Sequence, residues 1–435
     1  MKIELENIGM LKKATVKIDG LTVIAGENDT GKSTVGKIIF SIIKAISRYE
    51  EEFQESREFK IQEILDRIFF FLRKNLDYIS DEKKYREILD FLLTLEKINI
   101  NFDMFTMNEY FNDLRNKIKE AFKPENYDEN LIDSLLKELE SIIKSPEDKQ
   151  KSIENALNKV FRSEFNSNIL YHNEFEGSIK LYENDLLLLD IEINKDNKVF
   201  LRNKVQPIEI EEATFIETPL ILNNYDLLIR SQTGLDITKR SSRRLGVPYT
   251  TLHTKDLFDK LKAREFTLYF DDDFELKIQE NIIDTIKGEI IYDEDEKDFV
   301  YKKGSNKISI KNTATGIKAF GIMQLLINNG FINRKSILIL DEPEIHLHPK
   351  WQLIYAKIIT TLAKNDIPIL VTSHSPYMIE ALKRFSDKEN ISVNTNFYLS
   401  IDNVIENENN LEAIFSKLSE PFKLFMEMDR ELMQD

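Results

Sequence analysis

The chain has 435 residues, of which 42% are hydrophobic and 31% charged, and its formal net charge is −16. This composition excludes a disordered chain, and the absence of cysteine excludes disulfides and thiolate metal sites and favours a cytoplasmic protein. The initial stretch MKIELENIGM lacks the apolar core of a signal peptide, and no apolar run approaches the roughly 20 residues that span a bilayer, so no membrane association is expected.

The first predicted elements are two or three short strands, of which the last is the apolar run Leu21–Ala25. The loop GENDTGKS follows and satisfies the pattern G-x-x-x-x-G-K-[ST], and an amphipathic helix is predicted from about Ser33. A strand, a glycine loop and a helix in this order predict a phosphate-binding loop. Its amides would surround the β-phosphate, Lys32 would reach the β- and γ-phosphates, and Ser33 would bind Mg²⁺. The candidate nucleotide-binding residues of this segment are Gly26, Asn28, Asp29, Thr30, Gly31, Lys32, Ser33 and Thr34.

The middle of the chain differs in character from its two ends. Residues 47–165 carry apolar stripes between charged faces without sustained heptads, which predicts a large α-helical insertion folded as a compact bundle. Residues 166–222 alternate apolar and polar side chains and predict an antiparallel β meander. Residues 223–289 are predicted to form a second helical arm. The two ends, 1–46 and 290–435, are predicted to close together into one core.

A basic cluster lies in the second helical arm of this otherwise acidic chain. Its members, in the stretch ITKRSSRRLG, are Lys239, Arg240, Arg243 and Arg244, with Arg230 upstream. An acidic protein repels DNA and RNA at long range, so nucleic-acid binding would need a locally basic surface of this kind. A solvated loop is the simplest interpretation. Contact with nucleic acid, with a partner protein or with the nucleotide of a second subunit are the alternatives.

From residue 290 onward predicted strands alternate with helices, which favours a parallel sheet covered on both faces. The apolar strand 337–340 leads into Asp341 and Glu342, at the carboxyl edge where α/β sheets bind ligands. Asp341 is predicted to hold Mg²⁺, and Glu342 to orient or deprotonate the attacking water, because metal ligation and general-base catalysis need separate groups.

The next apolar strand, 367–372, leads into His374. A neutral imidazole at this edge can donate a hydrogen bond to a γ-phosphate, although a lone histidine is more often structural. Three of the five histidines of the chain lie in these two strand-end segments, which favours a catalytic role for His374. His346 and His348 are either functional or only shape their loop.

The phosphate loop, LILDEPEIHLHP and TSHSPYMIEAL, in this order, resemble the ABC-type ATPases of the RecF, SMC and OLD-like branch. The resemblance implies an α/β fold: an ABC-type ATPase head with a parallel sheet core and an antiparallel β meander. It also implies ATP and Mg²⁺ as cofactors. ATP would be sandwiched between two heads of a homodimer or higher oligomer, one head giving the phosphate loop and the other a signature segment at a helix N-terminus.

The segment IKNTATGIKAF occupies the place of that signature. Thr315 and Gly316 would present a hydroxyl and an amide to the γ-phosphate of the opposing subunit, with Lys318 nearby. The segment departs from the Ser-Gly-Gly type of the family, and an ordinary helix cap is the alternative. The glutamine-bearing loop of the family has no clear counterpart, and Glu217 in FIETPLIL is the candidate for it.

Position 29 usually holds glycine in this family, and Asp29 raises the question whether the site is degraded. Aspartate tolerates such a backbone turn better than most side chains, and its carboxylate can point to solvent or to the opposing subunit. A degraded site would also have lost its downstream acids. Because the acids and the histidine are retained, the sequence predicts a competent site.

Heads of this kind convert the phosphate state of a nucleotide into a change of shape. A head with a helical insertion but no long coiled coil resembles AAA family ATPases of bacterial anti-phage defence systems, which control a separate effector, a toxin or a nuclease. Too few residues follow Ala381 for an appended nuclease domain. The alternatives are a DNA-repair or DNA-structure-sensing ATPase of the RecF type, and a structural scaffold stapled by ATP with incidental turnover.

Overall fold

The computed structural model divides the protein into two compact units, Met1–Ser47 with Ile153–Asp435, and Arg48–Ser152. It describes residues 1–49, 60–71 without 62 and 69, 129–144, 148–237, 248–263, 273–407 and 411–418, with the single positions 83, 86, 116, 425 and 428. The predicted basic cluster, Lys239 to Arg244, lies outside the described residues, whereas Arg230 is described and exposed.

The strands form two sheets within the described residues. In chain order they are β1 (Lys2–Ile8), β2 (Leu11–Lys17), β3 (Leu21–Gly26), β4 (Glu176–Glu183), β5 (Leu186–Asn194), β6 (Val199–Leu201), β7 (Glu212–Ile216), β8 (Glu289–Asp293), β9 (Asp298–Lys303), β10 (Asn306–Ser309), β11 (Ser336–Asp341), β12 (Ile369–Ser373), β13 (Thr395–Ile401) and β14 (Val404–Asn407). The large sheet has eleven strands in the order β6-β5-β4-β1-β2-β14-β13-β3-β12-β11-β7, and β10-β9-β8 form a small separate sheet.

Five neighbouring strands of the large sheet, β13, β3, β12, β11 and β7, run parallel. Every residue of β3 and β12 is buried, as expected for strands that are covered on both faces. Because the strands are parallel and in register, β3, β12, β11 and β7 all end at one edge, which we call the carboxyl edge. Segments from both ends of the chain therefore meet there.

The other part of the sheet is mainly antiparallel. β1 pairs with β2 and β4, and β4 continues through β5 to β6. β14 joins the two parts, since it pairs antiparallel with β13 and parallel with β2. A parallel core combined with an antiparallel part confirms the predicted α/β class.

The predicted meander at 166–222 matches β4, β5 and β6, but its last segment is different. β7 pairs parallel with β11 rather than antiparallel with the meander. Four of its five residues are buried, so it belongs to the continuously buried strands of the core. A buried strand of only five residues is hard to distinguish by sequence pattern from a half-buried strand of an antiparallel meander.

The helices in chain order are α1 (Lys32–Ser47), α2 (Glu129–Lys144), α3 (Lys149–Glu164), α4 (Tyr225–Leu228), α5 (Gly234–Ile237), α6 (Leu252–Lys262), α7 (Asp273–Ile286), α8 (Thr315–Asn328), α9 (Pro349–Lys364), α10 (Pro376–Lys388) and α11 (Leu411–Leu418). Short 3₁₀ turns lie at Pro219–Asn224, Ile310–Asn312 and Ser392–Asn394. None of the helices in the described part of the chain combines the length and the apolar character that crossing a membrane requires.

The predicted second helical arm packs into the core. Leu257 and Phe258 of α6 and Ile282 of α7 are buried in the same hydrophobic cluster as Leu21 of β3 and Phe320 of α8. The described helices α6 and α7 of 223–289 therefore share the hydrophobic core of the sheet.

The unit Arg48–Ser152 contains α2, whose buried face carries the apolar stripe that the sequence predicted. Leu135, Leu136 and Leu139 are at most 2% exposed. On the polar side, Glu138 pairs with Arg67 at 3.3 Å. The buried stripe fits the predicted helical character of this insertion.

Gly36 holds α1 close to the parallel strands. A Cβ at this position would lie 2.7 Å from Ile339 Cγ2 of β11 and 2.9 Å from Phe215 Cε2 of β7. A real Cβ atom essentially never lies within 3.0 Å of a neighbouring heavy atom. Only glycine therefore lets α1 lie this close to β7 and β11. This contact fixes the first turn of α1 over the carboxyl edge.

Candidate nucleotide-binding site

The phosphate loop connects β3 to α1 and depends on residues with special backbone conformations. Gly31 has a φ of +87°, and a Cβ there would lie 2.6 Å from Leu11 Cδ2. Asp29 also lies in the left-handed region, with a φ of +65°, and is exposed. The turn at position 29 is therefore the kind that aspartate tolerates, and its side chain is on the surface of the loop.

The turn between β13 and β14 supports this loop from the other end of the chain. Ser400 Oγ donates to the carbonyl oxygen of Thr30 at 2.7 Å, and Asn403 Nδ2 donates to that of Asp29 at 3.2 Å. Thr30 Oγ1 donates in turn to the Glu27 carbonyl at 2.9 Å. No local sequence pattern marks Ser400 and Asn403, because the pairing of β13 with β3 joins distant parts of the chain.

Lys32 begins α1 and its side chain turns back over the loop. The side chain is only 4% exposed. Its Nζ donates to the Glu27 carbonyl at 2.6 Å and lies 3.5 Å from Glu342 Oε1. A positive charge is thus fixed between the loop and the end of β11, where a phosphate chain would need it.

Ser33 and Asp341 are in direct contact although 308 positions separate them. Ser33 Oγ donates to Asp341 Oδ1 at 2.8 Å, and Thr372 Oγ1 donates to the same oxygen at 2.5 Å. Burial raises the pKa of Asp341, while the two hydroxyl groups oppose that shift. Thr372 is a further site residue, since it orients the carboxylate that the sequence assigned to the metal.

Glu342 lies between Lys32 and His374. Its backbone has a φ of +48°, and its amide donates to the carbonyl and the hydroxyl of Thr372, each at 3.1 Å. Its Oε1 is 3.2 Å from His374 Nδ1, although the two groups lack the alignment of a hydrogen bond. A left-handed non-glycine residue is held by its surroundings, and such residues concentrate at functional sites.

A further carboxylate, Glu344, organises the segment that carries His374. Its Oε1 accepts from Ser373 Oγ at 2.7 Å and from the amides of His374 and Ser375 at 2.9 and 3.2 Å. Burial raises the pKa of Glu344, and these hydrogen bonds oppose the shift. The motif DEPE therefore supplies a third acid, Glu344, which orders residues 373–375 and which no sequence pattern marked.

The two other candidate histidines lie away from this cluster of charges. His348 is the N-cap of α9, where its Nδ1 accepts from the Lys350 amide at 3.2 Å. His346 is exposed and has a φ of +68°. The capping contact of His348 fits a role in shaping its loop, and both interpretations stay open for His346.

The signature segment forms the start of α8, and its residues have different surroundings. Thr315 is half-buried at the first position of the helix. Gly316 packs against the ring of Trp351, where a Cβ would lie 2.9 Å from two ring carbons. Lys318 is 2% exposed, and its Nζ donates to Asn223 Oδ1 at 2.7 Å.

Lys318 is predicted to lie near the nucleotide of an opposing subunit, and in this structure its ammonium group is buried against Asn223. The Lys318 side chain is buried in the interior of the protein, and this burial lowers its pKa. Its ammonium group is already used inside the protein.

Glu217 follows β7 and lies at the carboxyl edge. The parallel register pairs Ile216 with Leu340, so Glu217 is the neighbour of Asp341 along that edge. Its Oε1 is 3.9 Å from Lys37 Nζ of α1. The remaining loop candidates differ in exposure, since Asn28 is exposed whereas Thr34 is buried.

A comparison with known protein families matches residues 1–379 to the AAA ATPase domain. The chain belongs to the AAA ATPase domain family. Membership implies the use of ATP, in agreement with the groups that converge at the carboxyl edge. A search of curated proteins gave no significant match for this AAA ATPase.

Solved structures of ATPase heads resemble the chain at low identity. The SMC head domain from Thermotoga maritima is 11% identical, with 93% of this chain and 97% of that chain covered and a TM-score of 0.35. A Smc head derived from Pyrococcus furiosus is 12% identical, with 96% and 99% covered and a TM-score of 0.36. An ATP-binding cassette of an ABC transporter in its ADP conformation is 10% identical, with 98% and 99% covered and a TM-score of 0.32. Scores this low do not establish a shared function.

The residues of the site fit a magnesium nucleotide. Ser33 and Asp341 offer two oxygen ligands side by side, and Mg²⁺ typically takes one or two protein ligands and completes its shell with phosphates and water. The loop glycines let the loop pack closely on its neighbours, since a Cβ at Gly26 would lie 2.7 Å from the Ser400 carbonyl oxygen and one at Gly31 would lie 2.6 Å from Leu11 Cδ2.

The arrangement separates three tasks among different side chains. When bound, Mg²⁺ and ATP would supply a Lewis acid and the reacting phosphate. Lys32 presents a fixed positive charge, Ser33 and Asp341 would hold the metal, and the Glu342 carboxylate can orient a water or accept its proton. His374 lies beside Glu342, where its ring can hold that carboxylate or donate to a phosphate oxygen.

Proposed function

We propose that this AAA ATPase binds ATP with Mg²⁺, hydrolyses it, and uses the cycle as a molecular switch that controls a separate effector. The convergence of Lys32, Ser33, Asp341 and Glu342 from the two ends of the chain carries the proposal. A scaffold would have no need for an acid placed apart from the metal ligands. In the proposed cycle ATP joins two heads and hydrolysis separates them.

The proposed joining surface is the start of α8. Ala314 is its N-cap and makes no side-chain capping bond, so the first amides of this 14-residue helix are available to an anion. Thr315 and Gly316 would face the nucleotide of the second head. Lys318 has no part in this contact, because its ammonium group is buried.

The proposed biological role is control of a toxin or nuclease in bacterial anti-phage defence. It rests on the resemblance of the motifs to ATPases of such systems, together with the helical insertion. An adjacent gene for a nuclease or toxin would support this role, and its effector activity should then depend on the ATP state of the switch.

Glu342→Gln tests the switch. We expect ATP turnover to fall by about 10²–10⁴-fold, because the acid that accepts the proton of water is lost while ATP and Mg²⁺ binding is retained. The variant should accumulate as a dimer in ATP and Mg²⁺, measured by analytical ultracentrifugation. Glu211→Gln, on an exposed carboxylate, is the matched control and should behave like the wild type.

The scaffold alternative predicts a different outcome for the same variant. A constitutive oligomer stapled by ATP would sediment identically in the wild type and in Glu342→Gln, with or without hydrolysis. That result would contradict the switch.

The basic cluster favours a second candidate function, a DNA-repair or DNA-sensing ATPase. DNA should then raise the turnover of ATP, and an Arg240/Arg243/Arg244 triple alanine variant should lose this stimulation but keep its basal rate. An absence of DNA stimulation in the wild type would leave the effector switch as the proposal.

A further inference from the structure

A buried histidine links two carboxylates next to the nucleotide site. His253 lies near the start of α6 and is 2% exposed. Its Nδ1 is 2.5 Å from Glu164 Oε1, and its Nε2 is 3.2 Å from Glu217 Oε2. Glu164, the last residue of α3, is fully buried at its side chain. The chemistry assigned to the site above uses neither His253 nor Glu164.

Both ring nitrogens of His253 face acceptors, so the ring is suited to the doubly protonated form. Ionised carboxylates accept hydrogen bonds and donate none, which requires an N–H on each nitrogen for both contacts to be hydrogen bonds. Burial by itself would lower the pKa of His253, but the hydrogen bonds to Glu164 and Glu217 raise it to about 9. The bond from His253 also lowers the pKa of Glu217.

The other side of Glu217 leads into the site. Its Oε1 faces Lys37, which lies one helical turn after Ser33 on α1. Its backbone lies beside Asp341 through the register of β7 and β11. The Glu217 carboxylate thus lies between His253 on one side and Lys37 of α1 on the other. It is located at the carboxyl edge of the sheet.

We propose that His253 is a positioning residue of the nucleotide site, which holds Glu217 beside Asp341 with one ring nitrogen while Glu164 holds the other. The inference rests on the proposed function and adds a residue that supports the geometry of the proposed site. Without His253, the Glu217 side chain would keep, among the described residues, the 3.9 Å contact with Lys37, and this 46% exposed side chain would be free to turn into solvent. Supporting residues of this kind commonly cost roughly 10–100-fold in metal affinity or activity when removed.

A purely structural role for His253 is the competing explanation. Its ring packs on Phe215 with ring centroids 4.9 Å apart and edge-on against Phe40 at 6.3 Å. A change that only loosens this packing would lower activity whether or not Glu217 is present. A positioning role acts through Glu217 and disappears without it.

A double-mutant cycle separates the two explanations. The variants are His253→Gln, Glu217→Ala and their combination, and the measurements are kcat/KM for ATP and the Mg²⁺ concentration that gives half-maximal turnover. We expect His253→Gln to lower kcat/KM roughly tenfold and to raise the Mg²⁺ requirement. The same change in the Glu217→Ala background should have no further effect.

Two further variants make the cycle interpretable. Glu164→Gln leaves the imidazole ring in place, and it should lower kcat/KM when Glu217 is present but not in the Glu217→Ala background. It replaces His253→Gln in the cycle if the His253→Gln protein does not fold. Leu257→Val, on the buried face of the same helix, reports a general loss of packing and should act equally in both backgrounds.

Equal effects of His253→Gln in both backgrounds, or no effect in either, would overturn the positioning role while leaving the proposed function intact. A wild-type protein that does not hydrolyse ATP with Mg²⁺ would instead overturn the proposed function and this inference with it.

Discussion

Glu344 shows how a single carboxylate orders several groups of the site. One of its oxygens accepts three hydrogen bonds from residues 373–375, while Oε2 has no hydrogen-bond partner among the described residues. Neutral glutamine can keep the accepting oxygen, whereas alanine leaves a hydroxyl and two amides without an acceptor. The function of Glu344 therefore depends on its shape more than on its charge.

Glu344→Gln and Glu344→Ala should differ in stability. We expect Glu344→Ala to lower the free energy of unfolding by about 3 kcal/mol, because buried donors lose their partner, and Glu344→Gln to lower it by less than about 1 kcal/mol. Urea denaturation measures both. Equal stability of the two variants would show that the three hydrogen bonds contribute nothing.

His253 gives the protein a pH-dependent stability term. Because the folded pKa is about 9 and the ordinary value is 6.5, protonation stabilises the fold fully below pH 6.5, and the contribution is lost as the pH rises through 9. A shift of this size corresponds to at most about 3 kcal/mol. The difference in unfolding free energy between wild type and His253→Gln should therefore shrink between pH 6.5 and 9 in urea titrations. A constant difference over this range would contradict the charged state of the ring.

The residues of the site that the sequence predicted share one property. Lys32, Ser33, Asp341, Glu342 and His374 each follow an apolar strand within a few positions, so a local pattern reveals them. Thr372, Ser400 and His253 gave no such signal. Their contacts depend on which strands and helices become neighbours, and a single sequence does not state that pairing.

At the scale of elements, the distance between α1 and the sheet determines where the phosphate loop lies. Gly36 permits this distance, since its missing Cβ makes room for Ile339 and Phe215. A half-buried charge cluster fixes the other end of the helix: Lys44 lies 2.9 Å from Glu212 and 2.7 Å from Asp256. The helix is therefore held at both ends by groups from β7, β11 and α6.

Gly36→Ala should displace α1. Alanine gains about 1 kcal/mol in helix propensity, but overpacking against two strands costs about 1–3 kcal/mol, so we expect a net loss of stability together with weaker ATP binding. Gly321→Ala is the matched control. Gly321 lies in α8, where an added Cβ would overlap Ile290 of β8 and would not touch α1. Thermal unfolding and ATP titration measure both variants. Equal losses of ATP affinity in the two variants would contradict the role of α1 placement.

The sequence predicted most of the core elements. It misassigned a strand that is buried on both faces, because such a strand lacks the alternation of apolar and polar residues. α1, β11 and β12 begin or end within about two residues of their predicted limits, because the glycine loop and long apolar runs mark them. β7 was assigned to the meander, although it pairs parallel with β11. This error concerns tertiary packing, which a local pattern does not contain.

At the scale of the whole molecule, the fold brings the first and last parts of the chain into one sheet. β3 lies between β12 and β13, so a strand from residues 21–26 has two partners from beyond residue 368. This topology explains why the phosphate loop, the acids and the histidine meet at one edge. It also explains how 105 residues, Arg48–Ser152, can form a separate compact unit between them.

The central claim is that one magnesium nucleotide site is formed by both ends of the chain, and calorimetric titration of ATP with and without Mg²⁺ tests it most directly. We predict that the wild type and the surface control Lys335→Ala bind ATP with Mg²⁺ equally well. Lys32→Ala should weaken binding by roughly 10–100-fold through loss of charge-assisted hydrogen bonds, and Asp341→Asn should remove most of the Mg²⁺ dependence. Failure of the wild type to bind ATP, or equal Mg²⁺-dependent binding by all four proteins, would contradict the account.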